Sequence, residues 1–141
     1  MAKLTKNTVR QSSGLLGPFA LTAESIAEHI EALSIGAFAV GRLRAGENGA
    51  RFFVRKVGRD DRDLAGALRD LIGSKDQVYD AFKFRTYVST RRAFEKECRL
   101  FHAFAPPDSP LHPVCPPGTR FVCPVADCAE SGEAWGSAPE T

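Results

Sequence analysis

The sequence predicts an α+β domain, a small three-stranded antiparallel sheet flanked by helices, with a C-terminal loop tied by zinc. Three observations predict it. Two strand-like runs, Gly36–Leu43 and Arg51–Gly58, are joined by Gly46-Glu47-Asn48-Gly49, whose Asn-Gly pair is a strong hairpin signal. Helix-period segments come before the hairpin, after it, and after a third strand-like run. All four cysteines and two of the three histidines lie at or beyond Cys98.

The chain of 141 residues is long enough for one core and too short for two ordinary domains. Hydrophobic residues at 43% and charged residues at 26% describe a globular chain, so disorder is expected only locally. Residues 1–18, with Lys3, Lys6 and Arg10 and no periodicity, read as a flexible basic arm. Residues 19–128 form the single domain, and 129–141, small and polar around Trp135, read as a disordered tail. Met1–Arg10 is polar and no apolar run reaches membrane length, so a cytoplasmic protein without a membrane partner is expected. Clustered cysteines in that compartment hold metal more often than they form disulfides.

Taken in order, Leu21–Leu33 reads as an amphipathic helix with Thr22 as N-cap and Leu21, Ile26, Ile30 and Leu33 as its buried stripe. His29 lies beside that stripe as a surface residue. The hairpin follows. A second helix runs from Asp61 or Asp63 to Ile72, with Leu64, Leu68 and Leu71 inward and Gly73 as its stop. Ala81–Val88 alternates apolar and polar residues, as a half-buried third strand should. Ser89 or Thr90 caps the last helix, which carries Glu97, Cys98 and His102. Beyond Ala105, seven prolines (Pro106, Pro107, Pro110, Pro113, Pro116, Pro117 and Pro124) forbid regular structure, and so long an irregular segment needs an external tie.

Cys98 and His102, four apart on a helix, point the same way, and Cys123-Pro-Val-Ala-Asp-Cys128 brings two more sulfurs together. These four are the expected zinc ligands, with Cys115 and His112 as competitors and a Cys123–Cys128 disulfide open to oxidised protein. The net charge of +2 excludes nothing, but its distribution is uneven. Between Arg42 and Arg62 seven basic residues face three acids, a concentration that either draws phosphates or shields a solvated hairpin edge.

The motifs Val57-Gly58-Arg59, Phe82-Lys83-Phe84, Ala93-Phe94-Glu95-Lys96-Glu97-Cys98 with His102, His112-Pro113, Pro117-Gly118-Thr119 and Cys123-Pro124 occur in an order that resembles short bacterial proteins of the GIY-YIG endonuclease superfamily. Gly36-Ala37-Phe38 and Lys56-Val57-Gly58 stand where that family has its two tyrosine elements, over a span of roughly Ile35 to Cys128. The resemblance implies hydrolysis of DNA or RNA phosphodiesters with Mg²⁺ or Mn²⁺ at Glu97. It makes Phe38, Lys56 and Arg59 the remaining catalytic positions, and Arg42, Arg44, Arg55, Arg59 and Arg69 the expected contacts to a nucleic-acid partner. The chain departs from the pattern. Phe38 and Lys56 replace the tyrosines and Ala67 replaces the helix arginine, which implies a weak or degenerate nuclease; Arg55, Arg59, Arg69, Lys56 and Tyr87 are the available substitutes. The alternative on the same fold is an inactive module that binds nucleic acid or a protein partner.

Overall fold

The computed structural model describes residues 14–73, 78–126 and Cys128. Its elements run β1 (Leu16–Ala20), α1 (Ala23–His29), β2 (Ile35–Arg44), β3 (Arg51–Asp60), α2 (Leu64–Arg69), β4 (Ala81–Tyr87) and α3 (Thr90–Phe104). The four strands form one antiparallel sheet in the order β1-β4-β2-β3. The α+β class holds, but the sheet has a fourth strand inside the stretch expected to be a loose arm. β1 was hidden by Gly17-Pro18, which reads as a break; at a sheet edge a proline's missing N–H costs nothing. The rest of the expected arm, residues 1–13, and the expected tail, residues 129–141, lie outside the described residues.

The sheet is covered on both faces. On one, α1 and α2 bury Leu21, Ile26, Ile30, Phe38, Val40, Leu64, Leu68, Phe82 and Phe84. On the other, α3 lays Leu100 over Ala37, Ala39 and Val57. The small side chains at 37 and 39 let that helix approach β2. This double cover explains why Ala81, Phe82, Lys83 and Phe84 are all buried where the alternating pattern suggested a half-exposed strand.

Both hairpin strands are ten residues long, and Gly49 takes a φ of +107° in the turn between them, a conformation that suits glycine. The ladder slips once: Val40 pairs with Lys56 and Gly41 with Val54, so Arg55 is an extra residue bulged out of β3. The slip reverses the alternation. Phe53 and Lys56 therefore share the α1/α2 side of the sheet, while Val54 and Val57 share the α3 side.

α1 is shorter than expected. Thr22 caps it by accepting the Ser25 N–H at 3.1 Å, but Ile30 is already extended and Leu33, at a φ of +59°, is exposed rather than buried. The chain turns there because Asp63 accepts the Leu33 N–H at 3.4 Å while capping α2 through the Gly66 N–H at 3.2 Å. Ser89 is the cap of α3. No described helix is long and apolar enough to cross a membrane.

A Cβ added at Gly41 would overlap the Phe53 carbonyl, because the bulge brings the two strands together at that point. Gly41→Ala is expected to cost about 2–4 kcal/mol in urea unfolding, whereas Gly118→Ala, which meets nothing within 4 Å, costs less despite its positive φ.

Candidate functional site

Helix α3 organises two neighbouring sites. Consecutive residues on a helix are about 100° apart, so Phe94 and Cys98 point into the C-terminal segment while Glu97 turns toward β3.

Glu97 opens onto a cleft of about 670 Å³ between β3 and α2, which Phe38, Lys56, Arg59, Ala67 and Arg69 also line. The sequence therefore identified side chains that share one space. At its centre Arg59 donates from Nη1 to Glu97 Oε1 at 2.6 Å, from Nε to Asp61 Oδ1 at 2.9 Å and from Nη2 to Asp61 Oδ2 at 3.3 Å. Its guanidinium also lies 5.3 Å from the centre of the Phe94 ring, and the side chain is only 11% exposed. Burial works against its charge, but Asp61 and Glu97 outweigh that and hold its pKa above the usual value. For Glu97 burial is the larger effect and pushes the carboxyl pKa up, with Arg59 opposing it.

The cleft is not a simple basic trough. Lys56, Arg59 and Arg69 are met by Asp60, Asp63, Asp70 and Glu97. Two of these acids serve the backbone: Asp60 accepts the N–H groups of Arg62 and Asp63 at 2.8 and 2.6 Å, and Asp63 caps α2. Phe38 is 4% exposed, and its ring sits so close beneath Gly58 that a Cβ there would lie 2.6 Å from it. It can shape the floor but cannot carry a proton.

Other expected site residues lie elsewhere. Tyr87 packs in the cluster on the α3 side of the sheet. Arg55 leaves the cleft with the bulge and pairs with Asp108, Nη2 to Oδ1 at 3.1 Å, while the Tyr79 hydroxyl donates to Asp108 Oδ2 at 2.9 Å. Burial first and Asp108 second raise the Tyr79 pKa, so it stays protonated. Arg42, Arg44 and Arg55 instead line a second groove of about 440 Å³ with Phe53. The five expected phosphate contacts thus fall into two groups, with Arg59 and Arg69 in the cleft.

The second site is a side-chain tetrad. His102, His112, Cys123 and Cys128 place one ligand atom each within 4.8 Å of the other three, close enough to hold a metal ion. Two edges are already short: Cys123 Sγ to His102 Nε2 at 3.6 Å and Cys128 Sγ to His112 Nε2 at 3.4 Å. Tetrahedral N₂S₂ coordination of zinc has nitrogen–sulfur edges of about 3.5 Å, so the donor set fits with small adjustment. Burial and the neighbouring His112 lower the His102 pKa, which favours the neutral ring a metal needs.

The tetrad differs from the expected ligand set in one member: His112, one of the two expected competitors, stands with His102, Cys123 and Cys128, and Cys98 lies beside Cys123. Cys98 is fully buried among Phe94, Cys115 and Cys123, and burial, then proximity to Cys123, pushes its thiol pKa up. The i, i+4 argument put Cys98 and His102 on one face correctly but could not tell that the chain folds back to bring His112 beside His102, their rings 5.2 Å apart. Cys115, the other competitor, donates from Sγ to the Thr119 carbonyl at 3.3 Å. His29 is exposed, as expected of a surface residue, and its ring stacks on Phe19 at 3.8 Å.

No protein-family model matches the chain, and no curated protein or solved structure matches it either.

Elemental analysis of purified protein distinguishes the two ligand sets. His112→Ala is expected to lose the bound metal while Cys98→Ala retains it, with Cys98→Ala costing stability only as a small cavity of roughly 1–2 kcal/mol would.

Proposed function

We propose that this chain is a GIY-YIG-like domain, stapled by structural zinc, that binds nucleic acid and hydrolyses phosphodiester bonds slowly at the cleft of Glu97. The observation that carries the reading is that Glu97, Arg59, Lys56 and the position of the missing helix arginine, Ala67, open on one cleft. Their meeting there is what the resemblance requires of residues far apart in sequence.

A divalent cation held by Glu97, water and substrate phosphate would act as a Lewis acid, in keeping with the preference of magnesium for few carboxylates and retained waters. The protein's own part is to position charge. Asp61 grips Arg59 through Nε and Nη2, so the guanidinium stays anchored when Nη1 turns from Glu97 to a phosphate oxygen. Lys56 and Arg69 line the same cleft and supply further positive charge. Phe38 offers no proton and Ala67 no donor, and each such loss typically lowers a rate by about a hundredfold or more. Slow turnover follows.

A second reading keeps the fold and the binding but not the hydrolysis. It is favoured by the 2.6 Å Arg59–Glu97 contact, which already neutralises the carboxylate a cation would need.

Nicking of supercoiled DNA in Mg²⁺ or Mn²⁺ separates the two. Hydrolysis is expected to fall at least about a hundredfold in Glu97→Gln, with binding preserved; no cleavage by pure wild-type protein across DNA and RNA substrates would leave only the binding module. The zinc assignment has its own measurement: wild-type protein should carry one zinc per chain, and its removal by a strong chelator should lower the melting temperature by several degrees, about 1–3 kcal/mol for a domain of this size.

A further inference from the structure

The bulge at Arg55 gives the hairpin a second working surface. The register puts Arg42, opposite Phe53, and Arg44, opposite Arg51, on the same side of the sheet as Phe38 and Lys56. The helices on that side pack over Phe38 and Val40, and these four residues lie past them toward the turn. Phe53 is 46% exposed, and the Arg51 guanidinium sits 5.5 Å from its ring centre. Arg42 is steadied by donating from Nε to the Val78 carbonyl at 3.1 Å. Arg42, Arg44 and Arg51 have no carboxylate partner among the described residues, and Glu47 is the one acid in the sequence between Arg42 and Arg59. Arg55, which lines the same groove, is neutralised by Asp108 and adds little.

Unpaired arginines around an exposed aromatic ring match one ligand chemistry well. Backbone phosphates pair with the guanidinium groups, and a base stacks on the ring, which is open only to a base not enclosed in a duplex. We propose that this outer half of the hairpin binds single-stranded nucleic acid, with Phe53 as a stacking platform and Arg42, Arg44 and Arg51 as phosphate contacts. The proposal rests on the nucleic-acid reading above and sharpens its substrate class to an unpaired strand, DNA or RNA. Phe53 lies roughly 10 Å along β3 from Lys56 at the usual rise per residue, so a strand seated on the ring reaches the Lys56 wall of the cleft along the same face, while Arg59, opposite Ala37, enters the cleft from the α3 side of this edge strand.

The test is binding of a labelled short oligothymidylate, an oligouridylate and a duplex of equal length, by fluorescence anisotropy, with neither divalent cation nor chelator added. One or both single strands should bind at least about tenfold more tightly than the duplex, and Phe53→Ala should weaken that binding roughly 5- to 100-fold without a change in melting temperature. Arg44→Gln with Arg51→Gln should flatten the slope of log affinity against log salt by about 1.4, two phosphate contacts on a single strand. Equal binding of duplex, an unchanged affinity in Phe53→Ala, or competition by polyglutamate as effective as by oligonucleotide would overturn it, the last pointing to an acidic protein partner. Loss of hydrolysis alone leaves these expectations standing, and wild-type cleavage combined with an inert Phe53→Ala removes the inference alone.

Discussion

The pairing of Arg59 with Glu97 joins the parts of this molecule that sequence keeps apart. Arg59 comes from the edge strand of the hairpin, Glu97 from the middle of α3, and both side chains are nearly withdrawn from water, at 11% and 14% exposure. Withdrawing two charges is costly, and their mutual attraction repays that cost only when the remaining donors and acceptors are also met. Asp61 meets them by taking the second edge of the guanidinium, and Phe94 lies against its face. The arrangement is asymmetric. Without Glu97 the arginine still has Asp61, whereas without Arg59 two carboxylates would face each other partly buried, and Asp61 would add to the burial that raises the Glu97 pKa.

The same helix turns its other side to a segment that cannot support itself. With seven prolines between residues 106 and 124, the C-terminal stretch has few backbone hydrogen bonds of its own, among them Ser109 N–H to Pro106 and Thr119 N–H to Pro116, both at 3.1 Å. It borrows order from two places. Ser109 pairs with the Val57 backbone through its hydroxyl, accepting at 3.0 Å and donating at 3.1 Å, and the Asp108 N–H reaches the Arg55 carbonyl at 2.8 Å, so the segment covers the open edge of β3. Farther on, Phe121, Cys115 and Cys123 pack against Phe94 and Cys98, and the His102–His112–Cys123–Cys128 tetrad closes the loop onto the end of α3. A metal in that tetrad would constrain mainly the unfolded chain, as any cross-link closing a long loop does.

What the sequence revealed followed from local chemistry. Asn48-Gly49 demanded a hairpin, Thr22 and Ser89 announced helix starts, and Leu64 and Leu68 marked the buried side of α2, although that helix ends at Arg69 and the chain passes through turns before Gly73. The misses share a cause in tertiary context. β1 contains Gly-Pro and looks like a break until β4 offers it an edge, and Leu33 fits a helical stripe until Asp63 pulls its backbone into a turn. At the cluster that could hold a metal, spacing found His102, Cys123 and Cys128, but bringing His112 beside them needs the path of a proline-rich loop, which no periodicity encodes. The bulge at Arg55 is of the same kind: only the register reveals that Phe53 and Lys56 face the same way.

That register bears directly on how the proposed activity would work. The cleft carries three basic and four acidic side chains, so by itself it gives a polyanion no net attraction. The uncompensated charge lies farther out, on Arg42, Arg44 and Arg51, where no described carboxylate answers it. Had β3 run without its bulge, alternation would have turned Lys56 and Phe53 to opposite sides of the sheet, and a strand held at one could not have lain along the face of the other. In the proposed reading, capture and chemistry are therefore distinct tasks: one extra residue turns Phe53 to the face of Lys56, and the cleft wraps the β3 edge from Lys56 to Arg59 and Glu97 on the α3 side. The acids of the cleft are then no contradiction of the proposed phosphate ligand, because in that reading its attraction would come from the arginines farther out on the hairpin.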